Sequence, residues 1–152
     1  MIKRVKLKGF KSFENCEIHM KPLTVLFGQN NAGKSNVHDA LQLLSRTAAC
    51  RTLQEAFEPP YRGSPLESFS FGHDGVKGLL KKETASFSME IDVELSPDII
   101  SRVNRQIGDM KISKDNPDEE ESGFVKEKNL RYKIEIEILP KSISASSGPS
   151  NW

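Results

Sequence analysis

Eight residues near the start of the chain, GQNNAGKS at positions 28–35, restrict the fold more than any other stretch of the sequence. They follow the pattern G-x-x-x-x-G-K-[ST], in which two glycines allow a tight backbone turn. The apolar run LTVLF at positions 23–27 precedes the turn and has the composition of a central strand covered on both faces. After the turn, apolar residues recur at the spacing of one helix face, namely Val37, Ala40, Leu41 and Leu44. The predicted order is strand, glycine-rich loop, and a helix from near Gly33 to about positions 47–50.

A glycine-rich loop that opens a helix is typical of a site for phosphate groups. Successive backbone N–H groups and the helix N-terminus form a cradle for anions. Lys34 is expected to place its ammonium on the β- and γ-phosphates, and Ser35 to place its hydroxyl on Mg²⁺ as the metal ligand. A glycine-rich turn without a ligand is the alternative, but the flanking strand and helix favour phosphate binding. The predicted binding residues of the loop are Gly28, Gln29, Asn30, Asn31, Ala32, Gly33, Lys34, Ser35 and Asn36.

Alternation of apolar and polar residues predicts further strands at positions 1–8, 16–20, 86–95 and 131–138. The last two have matching patterns, and we expect them to pair in an antiparallel manner. Between them the sequence predicts a helix with Ser96 as N-cap and Pro97 in its first turn. The expected buried positions of this helix are Ile99, Ile100, Val103 and Ile107.

Three segments lack such patterns. Residues 56–83 are rich in proline and glycine, yet their aromatic residues favour an ordered, irregular loop. Residues 113–128 hold six acidic residues and three lysines, a composition typical of a mobile excursion. The serine-rich end, residues 142–152, is expected to be a flexible tail. The expected organisation of residues 1–141 is a core at 1–55, the irregular loop at 56–85 and a β-rich subdomain at 86–141.

Composition narrows the classes of function. The 152 residues carry 22 Lys and Arg against 21 Asp and Glu, a net charge of +1 that argues against a polycation. The basic first strand could contact DNA phosphates, or its lysines could protect an exposed sheet edge. No apolar run approaches the length that spans a bilayer, so a cytoplasmic chain without membrane partners is expected. Cys16 and Cys50 are expected to be partly buried thiols, and the three histidines lack metal-ligand spacing.

The opening IKRVKLKGFKSFENCEIHMKPLTVLFGQNNAGKSNVHDALQLL resembles the N-terminal segment of the ABC-type ATPases of the SMC, RecF and OLD groups. The shared features are a basic strand, a turn of the form nFksf and a GxNxxGKS loop, over about the first 45 residues. The resemblance implies an α/β fold, the incomplete N-terminal lobe of a P-loop NTPase, with a mixed sheet and an antiparallel β subdomain. It implies ATP and Mg²⁺ as ligands and Asn30 near the terminal phosphate. It also implies that Lys11 and Ser12 reach toward the nucleotide, although Lys11 could equally be a solvated charge of the hairpin.

Motifs that the family needs for hydrolysis are missing from the sequence. There is no Walker B strand, signature motif or switch histidine, and the nearest acidic strand residue, Asp92, follows a run broken by Glu90. Without a second acid, hydrolysis has no general base, so ATP binding without turnover is expected.

The chain is accordingly interpreted as part of a larger ATPase of DNA repair, genome maintenance or phage defence. Its expected partners are the C-terminal half of the head and, through the parent protein, DNA. A non-enzymatic truncated fragment without nucleotide is one alternative. A small independent P-loop kinase or GTPase is another, although residues 56–83 offer only Arg62 for a lid.

Overall fold

The computed structural model of the chain describes residues 1–72, 75–112 and 125–140. Four strands and four helices follow one another along these ranges, with a short 3₁₀ turn at Leu66–Ser68. In chain order they are β1 (Ile2–Phe10), β2 (Phe13–His19), α1 (Lys34–Ala49), α2 (Leu53–Phe57), α3 (Gly75–Lys81), β3 (Ala85–Glu94), α4 (Pro97–Ile112) and β4 (Asn129–Ile138). The predicted helix after the glycine-rich loop is therefore confirmed as α1.

The strands form one antiparallel sheet in the order β2-β1-β3-β4. A two-residue turn joins β1 to β2, and Lys11 in it adopts a left-handed φ of 49°. This conformation suits the right-handed twist of a tight hairpin. The predicted antiparallel pairing of the two late strands is confirmed, with Met89 of β3 opposite Ile134 of β4.

One face of the sheet is apolar and packs against α1. The period of two along each strand places the core residues Val5, Leu7 and Met89 on this face. Ala40, Leu43 and Leu44 of α1 belong to the same buried cluster. At the other end of the sheet the core is aromatic and consists of Phe10, Phe69 and Phe87. This packing fixes the start of α1, and with it the glycine-rich loop, against the β1–β2 hairpin.

The opposite face of the sheet carries charges that pair across the strands. Arg4 of β1 donates to Asp92 at 2.8 Å and pairs with Glu90, and Lys3 pairs with Glu94 at 2.6 Å. Hydrogen bonds from Arg131 and Arg4 hold the pKa of Asp92 well below its usual range. Because β1 lies between β2 and β3, the interpretation of its lysines as guards of a sheet edge is wrong.

The apolar run at residues 23–27 departs from the prediction of a covered central strand. Within the described ranges no strand pairs with it, and the exposed fraction of the side chain reaches 82% at Leu23 and 92% at Phe27. The prediction is wrong for a physical reason, since a strand needs a neighbour for its N–H and C=O groups. The outer strands β2 and β4 each keep a free edge, but in the described ranges residues 23–27 pair with neither of them.

Two predicted segments are confirmed in outline and corrected in detail. The described part of residues 56–83 packs around buried Tyr61 and Phe69, but it contains α3 and the end of α2, so the prediction of an irregular loop is wrong there. In α4, Ile99 N–H donates to the Ser96 hydroxyl at 3.4 Å, which confirms the predicted N-cap. Ile99 itself is 47% exposed, so its predicted burial is wrong, and the other three positions, Ile100, Val103 and Ile107, are half-buried.

The two predicted polar segments lie largely outside the described residues. The predicted mobile excursion overlaps them only at residues 125–128, and the predicted tail at 142–152 does not overlap them. Val125 is bound on both its N–H and C=O groups by the side-chain amide of Asn104 on α4. Along the described ranges, no helix combines the length and apolar character that crossing a bilayer requires.

Candidate functional site

The glycine-rich loop wraps around the first turn of α1 and is fixed there by the β1–β2 hairpin. Gly33 is the N-cap of α1 and adopts a left-handed φ of 87°, and Asn31 before it has φ of 69°. A β-carbon on Gly33 would lie 2.9 Å from Cζ of Phe13 and 3.1 Å from Oγ of Ser12. The close hairpin and the left-handed φ together favour glycine at this position. The backbone N–H groups at the start of α1 form the type of cradle that binds anions.

Lys34 lies inside the loop rather than extended into solvent. Its Nζ donates to the carbonyl oxygens of Gly28 at 2.8 Å and Gln29 at 2.7 Å. Because an ammonium has three donors and no acceptor, these two carbonyl oxygens leave Lys34 one donor for a further acceptor. Ser35 follows on the first turn of α1 and is exposed.

A cavity of about 550 Å³ lies in front of the loop. Its size falls in the range of about 300–1,000 Å³ typical of small-molecule sites. The lining residues come from the hairpin turn, the loop, the first turn of α1 and one later segment: Ser12, Asn30, Asn31, Gly33, Lys34, Ser35, Asn36 and Arg62. Of the other predicted residues, Gly28 and Gln29 bind Lys34. Ala32 lines an adjacent pocket with residues 25–27.

The two hairpin residues predicted to reach the nucleotide take different positions. The Ser12 hydroxyl lines the cavity and accepts a hydrogen bond from the side-chain amide of Asn36 at 2.8 Å. Lys11 is directed elsewhere, because its Nζ donates to Asp39 at 2.6 Å and to the backbone oxygen of Arg62 at 3.3 Å. The Lys11 side chain is only 12% exposed, so this contact is largely shielded from water.

The sequence analysis missed Asp39 as a site residue, and it considered Arg62 only as a lid residue of an independent kinase or GTPase. Asp39 lies on α1 with 5% of its side chain exposed, and its Oδ2 also accepts from Nη2 of Arg62 at 2.7 Å. Burial alone would raise the pKa of Asp39, but hydrogen bonds from Lys11 and Arg62 outweigh it and lower that pKa overall. The available signal was an acidic residue directly beside Ala40 in the apolar stripe, since a buried carboxylate requires cationic partners.

Within the described ranges, no group of three or more His, Cys, Asp and Glu side chains could hold a metal ion. Asp92, the acid considered for a second metal ligand, is bound by Arg4 and Arg131 on the charged face of the sheet. His38 is exposed on α1, and His73 lies outside the described residues. Cys16 and Cys50 are free and half-buried as predicted, and burial raises the pKa of the Cys16 thiol.

Comparison with known proteins agrees with this geometry. A family model described as AAA ATPase domain matches residues 1–147. DNA replication and repair protein RecF of Lactococcus lactis subsp. lactis is 31% identical over 97 residues, which cover 63% of this chain and 24% of that protein. An ATP/GTP phosphatase of Helicobacter pylori is 30% identical over 120 residues, which cover 74% of this chain and 32% of that protein. The chain thus spans about a quarter to a third of the length of these curated relatives.

Proposed function

Because the chain belongs to the AAA ATPase domain family, we propose that its glycine-rich loop binds ATP as the Mg²⁺ complex. One observation carries the proposal: the loop, the first turn of α1 and the Ser12 turn line one cavity, with a glycine-only cradle at Gly33. Cationic and N–H donors converge there, which is the chemistry that a polyphosphate requires.

The described residues fit the nucleotide and its metal. Lys34 would exchange the carbonyl oxygens of Gly28 and Gln29 for phosphate oxygens, which are stronger acceptors because they are charged. Ser35 would hold Mg²⁺, and a bound Mg²⁺ neutralises part of the phosphate charge. Asn30, Asn31 and Asn36 line the same cavity and would orient the phosphates. Ser12 would contact the nucleotide directly, whereas Lys11 would support the site through Asp39.

Binding without hydrolysis is the activity that we propose for this chain alone. The parent protein would be an SMC/RecF/OLD-like ATPase of DNA repair, genome maintenance or phage defence. This chain would be associated with DNA through that parent protein. A relative named for DNA replication and repair supports this assignment. The exposed apolar residues at 23–27 support a further proposal, that the C-terminal half of the ATPase head covers this segment. A cytoplasmic location stays a prediction.

A thermal unfolding titration with ATP, ADP and GTP, each with and without Mg²⁺, tests the proposal. Ligand at about 100 times its Kd should add about 2.7 kcal/mol to the free energy of unfolding, with a corresponding rise in Tm. We expect a Mg²⁺-dependent rise with ATP.

The variant Lys34→Ala should lose the ATP-dependent rise. The matched control is Lys8→Ala, which removes an exposed lysine of β1 outside the cavity and should keep it. A cooperative transition that ATP does not shift would favour a fragment without a nucleotide site. Turnover of GTP, or phosphoryl transfer to an acceptor, would favour an independent kinase or GTPase.

A further inference from the structure

We propose that Asp39 is a positioning residue that holds the Arg62 guanidinium on the wall of the cavity, where Arg62 binds the polyphosphate. The inference rests on the proposed ATP binding. Every other lining residue of the cavity comes from positions 12–36, so Arg62 is the contribution of a distant segment. Its Nη2 lies 2.7 Å from Oδ2 of Asp39, yet 63% of its side chain is exposed.

Among the described residues, the charges around Asp39 are two cations and one carboxylate. Oδ2 of Asp39 accepts from both Lys11 at 2.6 Å and Arg62 at 2.7 Å, so two cations share one carboxylate. Lys11 is the more deeply buried of the two, and its ammonium also lies 5.3 Å from the Tyr61 ring centroid. Because Lys11 is buried, its ammonium stays paired with the Asp39 carboxylate. The second positive charge, that of Arg62, is then available to a ligand in the cavity.

The guanidinium retains donors for a second acceptor. An arginine has five N–H donors in a planar fork, and Arg62 uses Nη2 for Asp39. Donors directed away from Asp39 can bind phosphate oxygens while the carboxylate keeps the group oriented. Among the described residues that line the cavity, Lys34 and Arg62 carry positive charge and none is acidic. An anionic ligand with several charged oxygens therefore fits this wall better than a neutral one.

The position of Asp39 on α1 explains why it is suited to this role. Lys34 begins the same helix, so the backbone of α1 fixes the Asp39 carboxylate relative to Lys34. Arg62 follows α2 and precedes the Leu66–Ser68 turn, in a segment without regular structure. The contact with Asp39 ties this segment to α1 before the ligand arrives. Such preorganisation lowers the entropy cost of binding.

The experiment compares dissociation constants for Mg-ATP in the full chain and in the variants R62Q, R62K, D39N and D39N/R62Q. Losing a charge-assisted hydrogen bond should weaken ATP binding about ten-fold or more in R62Q, while R62K retains part of the affinity. D39N should also weaken binding, but it should add little in the R62Q background, because Asp39 acts through Arg62. The matched control R51Q removes an exposed arginine outside the cavity and should bind like the unaltered chain.

The Tm of the ligand-free variants shows whether Asp39 positions Arg62 or serves only the stability of the fold. D39N should lower the Tm of the free protein, because it deprives buried Lys11 of its charge partner, whereas R62Q should leave that Tm nearly unchanged. If D39N fails to fold, R62Q and R62K still decide whether Arg62 binds ATP. Unchanged ATP affinity in R62Q, or an equal effect of D39N with and without Arg62, would overturn the inference alone. An unaltered chain that does not bind ATP would overturn both this inference and the proposed function.

Discussion

The ring of Phe13 lies against the backbone of Gly33 so closely that a β-carbon on Gly33 would come within 2.9 Å of the ring Cζ. Phe13 begins β2 and Gly33 caps α1, so this contact joins the β1–β2 hairpin to the glycine-rich loop. The left-handed φ of 87° at Gly33 adds a second reason for glycine at this position. The hairpin thereby supports the site sterically, in addition to the hydroxyl that Ser12 contributes.

Replacing Gly33 by alanine should therefore damage both stability and ligand binding. The left-handed conformation and the close Phe13 ring together should cost about 1–3 kcal/mol of unfolding free energy. The loop would have to move, so the ATP-dependent rise in Tm should also be lost. Urea denaturation and the thermal titration measure the two effects.

A matched glycine on α4 provides the control for this substitution. A β-carbon on Gly108 would meet no atom within 4 Å. Gly108→Ala should accordingly stabilise α4 by about 0.5–1 kcal/mol through a better helix propensity. If Gly33→Ala matched the unaltered chain in both stability and ATP response, the steric account of the loop would be wrong.

Two phenylalanines in opposite environments test the described packing. Phe87 is 1% exposed, and its ring packs edge-to-face with Phe10 and Phe69 at centroid distances of 5.4 and 4.9 Å. Phe87→Ala should cost about 3–5 kcal/mol of unfolding free energy. Phe27 is 92% exposed, and Phe27→Ala should stay within about 0.5 kcal/mol. Denaturant titration of both variants would contradict the structure if Phe27→Ala were as destabilising as Phe87→Ala, because residues 23–27 would then be covered.

The sequence predicted those features that depend on local periodicity. The four strands and α1 follow repeats of two or about 3.6 residues, and each repeat is visible within one segment. The N-cap at Ser96 was equally local, because the cap and the N–H that it binds are three residues apart. The glycine-rich loop combined a local pattern with the apolar repeat that follows it, which is why its position at the start of α1 could be predicted.

Features that depend on distant segments could not be predicted in the same way. The composition of residues 23–27 shows that they favour burial, but it does not show whether a neighbouring strand is present to pair with them. The partnership of Asp39 with Arg62 spans 23 positions and depends on the path of a loop without regular structure. The central place of β1 likewise depends on pairing with β3, whose partner residues lie 80 to 91 positions later.

Removal of the Asn104 side chain should free α4 from the segment at Val125. Its amide Nδ2 donates to the Val125 carbonyl at 3.2 Å, and its Oδ1 accepts from the Val125 N–H at 2.8 Å. Asn104→Ala leaves both backbone groups of Val125 without these bonds, at a local cost of about 1–3 kcal/mol. Hydrogen exchange should become faster at Val125 and along α4, while β1 and β3 keep their protection.

The exposed neighbour Gln106 offers the control for α4. Gln106→Ala alters the same helix without touching Val125, and it should leave exchange at Val125 unchanged. Equal exchange in Asn104→Ala and the unaltered chain would show that the two hydrogen bonds do not hold α4 in place.

Stability should fall in acid partly through Asp39. Its pKa in the folded chain lies below the usual 3.8, because the bonds from Lys11 and Arg62 outweigh the opposing effect of burial. A lowered folded pKa contributes stability that is complete above the unfolded pKa and is lost as the pH falls through the folded pKa. As the pH falls below the usual aspartate pKa of 3.8, the unfolding free energy of Asp39→Asn should therefore fall less steeply than that of the unaltered chain. Asp92 also has a lowered pKa, through Arg131 and Arg4, so part of the acid dependence should persist in Asp39→Asn.

The exposed Asp98 provides a matched control, and Asp98→Asn should keep the slope of the unaltered chain. Urea titrations at a series of pH values measure these slopes, and an Asp39→Asn slope equal to that of the unaltered chain would mean that the buried ion pairs do not shift the titration of Asp39.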